Sequence, residues 1–272
     1  MNCPSCEELM GINKRRDDFE WKCKKCLKRK SIRDGSFFSR SSLTLSKLLP
    51  LIYMWLEDFQ NKNVVKELNI ESTTIVSWFN NCRNECNMFK EKIGGLNKMI
   101  VIDENCWLNQ EHRKRKMGEE RQELYFGCIE HGEGGQAIIE RVDDKEMNTL
   151  FKLIEKWIEP GTLIISNDYS TFLLMERVLP QFKHVLIRTE ETADVKSSKI
   201  VELEDGSVLN INTNQCNELW AQLRQKIKRI CGTSAKLNDS YMMEALFRQN
   251  AKARGESVSN AFVKVLKKKY CL

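Results

Sequence analysis

Apolar residues recur along the chain with two different periods, and the change occurs near Gly94-Gly95. Before this point the spacing is that of amphipathic helices, beginning with a predicted helix over residues 43–59 that Ser41-Ser42 would cap. Its predicted buried stripe consists of Leu48, Leu49, Leu51, Ile52 and Trp55. After the two glycines, short apolar runs alternate with helical stretches. We therefore expect a helical domain followed by an α/β domain.

The second part of the chain predicts five strands and three helices. The strands are 99–103, 124–130, 136–142, 162–166 and 184–187, and the helices are 145–158, 170–179 and 216–230. Three strands, a helix, a strand, a helix, a strand and a late helix is the order of an RNase H-like domain. The fold class we predict is α/β: an RNase H-like mixed-sheet domain preceded by a zinc ribbon and a small helical domain.

The segment 63–79 has the proportions of a helix-turn-helix. A short helix would end at a tight Asn69-Ile70-Glu71 turn, and Ser72 would cap a second helix that continues to about Lys92. Such a pair of helices either binds DNA or is an ordinary helical hairpin that packs on its neighbours, and the sequence leaves both open.

Four of the eleven cysteines form two CxxC pairs, Cys3-Pro4-Ser5-Cys6 and Cys23-Lys24-Lys25-Cys26. Two such turns supply four thiolates, which is the tetrahedral ligand set of a structural Zn²⁺ site. A redox pair is the alternative. Because the cysteine count is odd and we expect no export signal, the spacing indicates metal binding in a reducing, intracellular compartment.

Composition and charge exclude several classes of protein. The chain of 272 residues has 41% hydrophobic and 30% charged residues, which excludes intrinsic disorder and collagen-like chains. No apolar run is long enough for a membrane span, so we expect no membrane partner. The net charge of +6 is a weak indication of nucleic acid.

Basic residues cluster at two places where DNA contact is expected. Residues 1–30 hold nine basic and five acidic side chains, with Lys24 and Lys25 inside the second cysteine pair. The second cluster follows the first predicted acidic strand and consists of Arg113, Lys114, Arg115 and Lys116. A nuclear import signal or a solvated charged run is the alternative for this second cluster.

Segments spread over residues 1 to about 250 resemble, in their order, the Merlin-type transposases, which are eukaryotic relatives of bacterial ISXO-like insertion-sequence enzymes. These segments are the two cysteine pairs, 34–38, Ile102-Asp103-Glu104, 126–130, Ile164-Ile165-Ser166, His184, Thr213-Asn214-Gln215-Cys216-Asn217-Glu218-Leu219-Trp220 and 241–248. The resemblance implies DNA recombination by a DDE site, in which metal-activated water nicks the element end and the 3′-hydroxyl then attacks target DNA. It also implies a homo-oligomer and, in a eukaryotic host, a nuclear location.

The resemblance also implies the catalytic residues. The three carboxylate positions and one basic position of the family fall on Asp103, Asn167, Asn217 and Arg224. Asp103 would hold Mg²⁺ or Mn²⁺, since hard cations prefer charged oxygen ligands. The two amides bring no negative charge, but each is followed by a carboxylate.

Asp168 and Glu218 are those following carboxylates, and they are the alternative second and third ligands. Each also has an ordinary structural explanation, as a turn residue and as a helix-dipole partner respectively. Three functions stay open: a DDE transposase, a domesticated and inactive zinc-ribbon DNA-binding or regulatory protein, and a metal-dependent nuclease without strand transfer.

Four segments are expected from these observations. They are a zinc ribbon at 1–30, a helical DNA-binding module at 31–94, an RNase H-like DDE domain at 95–255, and a basic C-terminal tail at 256–272.

Overall fold

The computed structural model forms two compact units. Unit 1 comprises Met1–Glu85 and Val258–Leu272, and unit 2 comprises Cys86–Ser257. The residues described are 1–15, 18–39, 41–87, 91–102, 107–110, 123–132, 134–167, 174–187, 198–202, 208–212, 218–221, 225 and 235–270. No helix within these ranges is long and apolar enough to cross a membrane.

Unit 1 begins with a three-stranded antiparallel sheet. Strands β1 (Met10–Arg15), β2 (Asp18–Cys23) and β3 (Arg29–Ser31) follow one another in that order. The pairing of Met10 with Cys23 brings the second cysteine pair beside the start of β1. This sheet is the scaffold on which both cysteine pairs are held.

Four helices complete unit 1: α1 (Leu45–Leu56), α2 (Asn61–Leu68), α3 (Ser72–Asn87) and α7 (Val258–Tyr270). Helix α1 begins after Thr44 rather than at the predicted Ser41-Ser42 cap. The predicted stripe is confirmed except at Leu49, which is 56% exposed. The prediction was wrong there because Leu49 lies about 100° around the helix from its buried neighbour Leu48.

Aromatic rings form the centre of unit 1. The Phe262 ring of α7 lies 5.2 Å from the Trp55 ring and 6.0 Å from the Phe37 ring, measured between centroids. Phe37 also meets Trp78 of α3 at 5.5 Å, edge to face. Burial of such rings against one another is a large apolar contribution to stability. Helix α7 is therefore part of the core of unit 1.

The residues of α7 were predicted as part of a basic tail. Helix α7 instead buries Ala261, Phe262 and Val265, and its last turn holds an ion pair. The Lys269 ammonium donates to both carboxylate oxygens of Glu85 at 2.9 Å. The segment 256–272 thus contains a packed helix.

Unit 2 contains a six-stranded mixed sheet. Its strands are β5 (Met99–Ile102), β6 (Trp107–Gln110), β7 (Glu123–Glu130), β8 (Ala137–Val142), β10 (Leu163–Asn167) and β11 (Lys183–Ile187). The order is β11-β10-β5-β7-β6, and β8 pairs with β7. Strands β5, β10 and β11 are parallel to one another, whereas β7 is antiparallel to β5 and β8. All five predicted strands are present, and β6 was not predicted.

Each face of this sheet carries an apolar cluster. On one face Ile100, Ile102 and Ile164 pack with α4 (Met147–Trp157) and with α5 (Met175–Val178). On the other face Val101 and Ile165 pack with Trp220 and with α6 (Ala235–Ala253). Alternate residues of a strand point to opposite faces, so the uninterrupted apolar runs of β5 and β10 follow from burial on both sides.

Two smaller pairs of strands complete unit 2. Residues 93–94 (β4) pair in parallel with 158–159 (β9). Strands β12 (Ser198–Glu202) and β13 (Val208–Asn212) form an antiparallel hairpin that is not among the predicted strands. The missed signal is Asp205-Gly206 between the two runs, a dipeptide that favours a hairpin turn.

Candidate functional site

The thiols of Cys3, Cys6, Cys23 and Cys26 lie together at one end of the three-stranded sheet. Their sulfur atoms are all within 4.8 Å of one another. The Cys3–Cys26 and Cys6–Cys23 pairs are separated by 3.4 and 3.5 Å. A tetrahedral Zn²⁺ with bonds of about 2.3 Å has sulfurs about 3.8 Å apart. Both pairs are a few tenths of an ångström closer than this value and all four sulfurs lie within 4.8 Å, so the thiols are close enough to share one zinc ion.

The two cysteine turns have the same backbone geometry. The Cys3 N–H donates to the carbonyl of Glu8, and the Cys23 N–H donates to the carbonyl of Lys28, each at 2.9 Å. The residue after each second cysteine, Glu7 or Leu27, is left-handed, with φ of 59° and 61°. Non-glycine residues rarely adopt this conformation, so its repetition indicates that both turns are shaped for one purpose. Two matching turns are what a shared metal requires.

Backbone donors favour the thiolate form of Cys3 and Cys23, whereas burial and the neighbouring thiols raise the pKa of Cys6 to about 12. A hydrogen bond from the Ser5 N–H lowers the pKa of the Cys3 thiol to about 6. The Cys26 N–H, 3.5 Å from the Cys23 sulfur, lowers the pKa of the Cys23 thiol. Since the thiolate is the metal ligand, both effects prepare the site for a cation. Cys3 and Cys23 are also buried, at 1% and 0% exposure.

Helices α2 and α3 have the predicted helix-turn-helix arrangement. Asn69 ends α2 in a left-handed conformation with φ 48°, and α3 begins at Ser72. Val64, Ile70 and Ile75 are buried at the junction. Such burial fixes the angle between the two helices, and both DNA-binding modules and ordinary hairpins require it.

The basic residues predicted to contact DNA are described in part. Lys24 and Lys25 lie exposed in the turn between Cys23 and Cys26. Arg113, Lys114, Arg115, Lys116 and Arg224 lie outside the described residues. Unit 1 as a whole carries 19 Lys and Arg against 11 Asp and Glu, a net charge of +8. Unit 2 carries 25 against 27, a net charge of −2.

Two parallel strands end side by side where the catalytic residues were predicted. Ile102, the last residue of β5, is in register with Ser166, the penultimate residue of β10. Asn167 ends β10, and its backbone pairs with Ile187. Asp103, Asp168 and Asn217 lie outside the described residues.

Glu218 is the described member of the predicted third position. It is exposed within the helical residues 218–221, of which Leu219 and Trp220 are buried. Trp220 packs into the sheet face that also holds Val101 and Ile165. The segment that carries Glu218 is thus anchored to the face of β5 and β10.

Gly127 in the middle of β7 is what lets Trp220 approach the sheet. A Cβ at this position would lie 2.7 Å from Cη2 of Trp220 and closer still to Cζ2. Only glycine fits against the ring, which explains a glycine in a strand interior. The sequence predicts Gly127 within a strand but not this contact. A glycine among the large residues of that strand was the signal that another side chain packs closely against it.

Ser166 and His184 form a polar pair beside the end of β10. The Ser166 hydroxyl and Nε2 of His184 are 2.8 Å apart, and Ser166 is fully buried. His184 is thus a hydrogen-bonded residue of β11. The hydroxyl of a buried residue needs such a partner, so the pair has a structural explanation.

Comparisons with known proteins identify the family. The model of the ISXO2-like transposase domain family matches residues 96–250. No curated protein sequence matches the chain. Among solved structures, a chain from "CryoEM structure of simian T-cell lymphotropic virus intasome in complex with PP2A regulatory subunit B56 gamma" is similar at 10% identity and a TM-score of 0.35. The alignment covers 73% of this chain and 67% of that chain. The match over residues 96–250 spans more than half of the chain, which therefore belongs to the ISXO2-like family of DDE transposases.

Proposed function

We propose that this protein is a Merlin-like DDE transposase or a domesticated descendant of one, which binds DNA through unit 1 and holds catalytic metal in an RNase H-like unit 2. The observation that carries the proposal is the family match over unit 2, in which parallel strands β5 and β10 end side by side. Asp103 follows β5 directly in the sequence, and Asn167-Asp168 occupy the end of β10 and the next position.

Carboxylates at neighbouring strand ends are suited to two divalent metals. Mg²⁺ or Mn²⁺ bound there would activate water and stabilise the attacking and leaving oxygens of a phosphodiester. Asp103 is the one charged residue among the three aligned positions. The protein's own part in such a site is to fix the oxygen ligands on rigid strand ends and on the helix anchored by Trp220.

Strand alternation favours Asn167 over Asp168 as the position on the catalytic face. Positions 163, 165 and 167 of β10 form one set, and Ile165 of this set packs with Val101 and Trp220. Position 103 is two residues after Val101 and so belongs to the same alternating set. The helical segment of Glu218 is anchored on the face to which Val101 points. A neutral amide would then occupy the second ligand position, unless the chain turns immediately after β10.

Zn²⁺ and DNA complete the proposal. Zn²⁺ held by the four cysteines would give the ribbon the stability that so small a sheet lacks. The ribbon at 1–30 and the helical module at 31–94 would bind element ends, since the surplus positive charge lies in unit 1. Residues 95–255 would form the DDE domain of a homo-oligomer, as the family resemblance implies.

Metal titration of the full-length, zinc-loaded chain tests the catalytic part. Calorimetry with Mn²⁺ and Mg²⁺, alone and with a nicked duplex, is compared between the wild type, Asp103→Ala and Asn167→Asp. We expect binding that Asp103→Ala abolishes and Asn167→Asp strengthens, because the latter restores a charged ligand. Equal titrations for all three proteins, with and without DNA, would contradict a metal site here.

The second candidate function is an inactive DNA-binding or regulatory protein. Amides at two of the three aligned positions favour it, since each removes a negative charge from the metal site. DNA binding without cleavage by the wild type, together with cleavage by an Asn167→Asp, Asn217→Asp double variant, would support this candidate. Cleavage without joining of the 3′ end to target DNA would instead indicate a nuclease.

A further inference from the structure

The exposed face of α3 carries no charged side chain from Ser72 to Asn84. Thr73, Ser77 and Asn84 are exposed along successive turns of this face, half-buried Asn80 lies between Ser77 and Asn84, and Val76 lies beside them. Val76 is 37% exposed, whereas Ile75, Trp78 and Phe79 on the opposite face are buried. Arg83, the one charged residue between Ser72 and Asn84, is 2% exposed, and Glu85 directly after this stretch is 6% exposed.

This composition is costly for a solvent-exposed helix surface. Asparagine, serine and threonine are poor helix formers because their side chains compete for backbone hydrogen bonds. Helices α2 and α7 of unit 1 follow the usual rule, since α2 exposes Lys62, Lys66 and Glu67 and α7 exposes lysines. Helix propensity therefore disfavours these residues on α3, whereas amides and hydroxyls suit a ligand that forms hydrogen bonds with them.

The side chains of this face are available to such a ligand. Within the part of the chain that the structure describes, Ser77, Asn80 and Asn84 make no side-chain hydrogen bond. An asparagine amide donates and accepts at once, which matches N6 and N7 of adenine in the major groove. An exposed valine methyl matches the methyl group of thymine.

The dimensions and the charge fit double-stranded DNA. Thr73 and Asn84 are eleven residues apart, which is about 16 Å along the axis at about 1.5 Å per residue. This length corresponds to about five base-pair steps of about 3.4 Å. Lys62 and Lys66 are exposed on α2, the helix that crosses the phosphate backbone in helix-turn-helix proteins. Unit 1 also carries the net positive charge of the chain.

We propose that α3 reads A·T base pairs through the major groove, with Asn80 and Asn84 contacting adenine and Val76 a neighbouring thymine methyl. The inference rests on the proposed DNA binding by unit 1 and adds to it the residues that determine sequence preference. Lys66 on α2 would contact phosphate, which adds affinity without sequence preference.

Selection from a random duplex library tests the proposal on the full-length, zinc-loaded chain. The wild type is compared with Asn80→Ala, Asn84→Ala, Lys66→Ala and the matched control Asn63→Ala, which removes an exposed amide from α2. Fluorescence anisotropy then measures affinity for the selected duplex and for one with A·T pairs exchanged for G·C, over a range of salt concentrations.

We expect a selected site with adenines at fixed positions. Asn80→Ala and Asn84→Ala should lower discrimination at one position each by about tenfold or more, with an unchanged salt dependence. Lys66→Ala should weaken binding to every duplex equally and reduce the salt slope by about one. Asn63→Ala should leave the preference intact. Both α3 variants should melt at a higher temperature than the wild type, because alanine is the better helix former.

Two outcomes would overturn the inference in distinguishable ways. Salt-dependent binding with no preferred sequence, or the same preference in the wild type and in both α3 variants, would refute base reading by α3 while leaving DNA binding by unit 1 intact. Absence of DNA binding by the wild type would refute both proposals.

Discussion

Phe262→Ala tests the assignment of the C-terminal helix to the core of unit 1. Phe262 is 1% exposed and packs on the rings of Trp55 and Phe37. Truncating a buried phenylalanine costs about 3–5 kcal/mol, from lost apolar burial and from the cavity that remains. A unit of this size is typically stable by about 5–15 kcal/mol, so the loss is a large part of the total. The neighbouring Val263, 48% exposed, is the matched control.

Native-state hydrogen exchange resolves the effect by region. Peptides from α1 and α7 of the Phe262→Ala variant should exchange about 100- to 5,000-fold faster, the equivalent of about 3–5 kcal/mol at 1.4 kcal/mol per tenfold. Peptides from β10 belong to unit 2 and provide the reference. Val263→Ala should change exchange by less than about threefold. If α1 exchanges no faster in Phe262→Ala than in Val263→Ala, the packing of α7 into unit 1 is wrong.

Three further predictions concern the cysteine site, the ion pair of α7 and the Trp220 contact. Cys23→Ser should abolish stoichiometric zinc retention and leave residues 1–31 unprotected from hydrogen exchange; retained zinc would contradict a four-cysteine site. The Glu85 carboxylate raises the pKa of Lys269, so the stabilisation is complete below the unfolded pKa and is lost as pH rises through the folded one. As the pH rises above about 10.4, the urea concentration at the unfolding midpoint should therefore decrease more in the wild type than in Lys269→Met. Parallel curves of midpoint against pH for the two proteins would refute this. Gly127→Ala should destabilise unit 2 by about 1–3 kcal/mol in thermal unfolding, with partial recovery when Trp220→Leu is added; no loss would refute the contact.

The strands of the unit 2 sheet could be predicted because burial leaves a direct trace in the sequence. β5 and β10 read as uninterrupted apolar runs, since both faces of each strand are covered. The hairpin of β12 and β13 leaves a weaker trace, which consists of short runs around Asp205-Gly206. Helix α7 was missed because its lysines obscure the spacing of Ala261, Phe262 and Val265.

Contacts between distant residues could not be predicted from the same patterns. The Tyr125 hydroxyl donates to the Asp239 carboxylate, and Arg141 donates to it at 3.1 Å. Asn250 pairs its amide with both backbone groups of Ala137, at 2.8 and 2.9 Å. These contacts fix α6 on β7 and β8, and they depend on which helix covers which strand. Hydrophobic periodicity carries no information about that choice.

The candidate sites differ in the same way. The cysteine cluster could be predicted completely, because two CxxC turns define both ligand identity and local geometry. For the catalytic edge, spacing alone predicts a carboxylate after a buried strand, and the family resemblance supplies the remaining positions. Sequence could not decide between Asn167 and Asp168, because that choice depends on where β10 ends. Because the backbone of Asn167 still pairs with Ile187, β10 extends to this residue, and the alternation of side chains along the strand favours Asn167 over Asp168 as the second ligand position.

The division of charge between the units connects the two proposals. Unit 2 has a net charge of −2, so its net charge does not attract DNA, and the Asp103 carboxylate of the proposed catalytic edge would repel phosphate in the absence of divalent metal. Unit 1, at +8, would supply the non-specific affinity, and α3 would convert that affinity into a preference for particular sequences. Restoring carboxylates at Asn167 and Asn217 should therefore increase metal binding while making DNA binding more dependent on that metal. With amides at these two positions, the proposed catalytic edge would repel DNA less than an edge with three carboxylates, which is the direction expected of a descendant that retains DNA binding without cleavage.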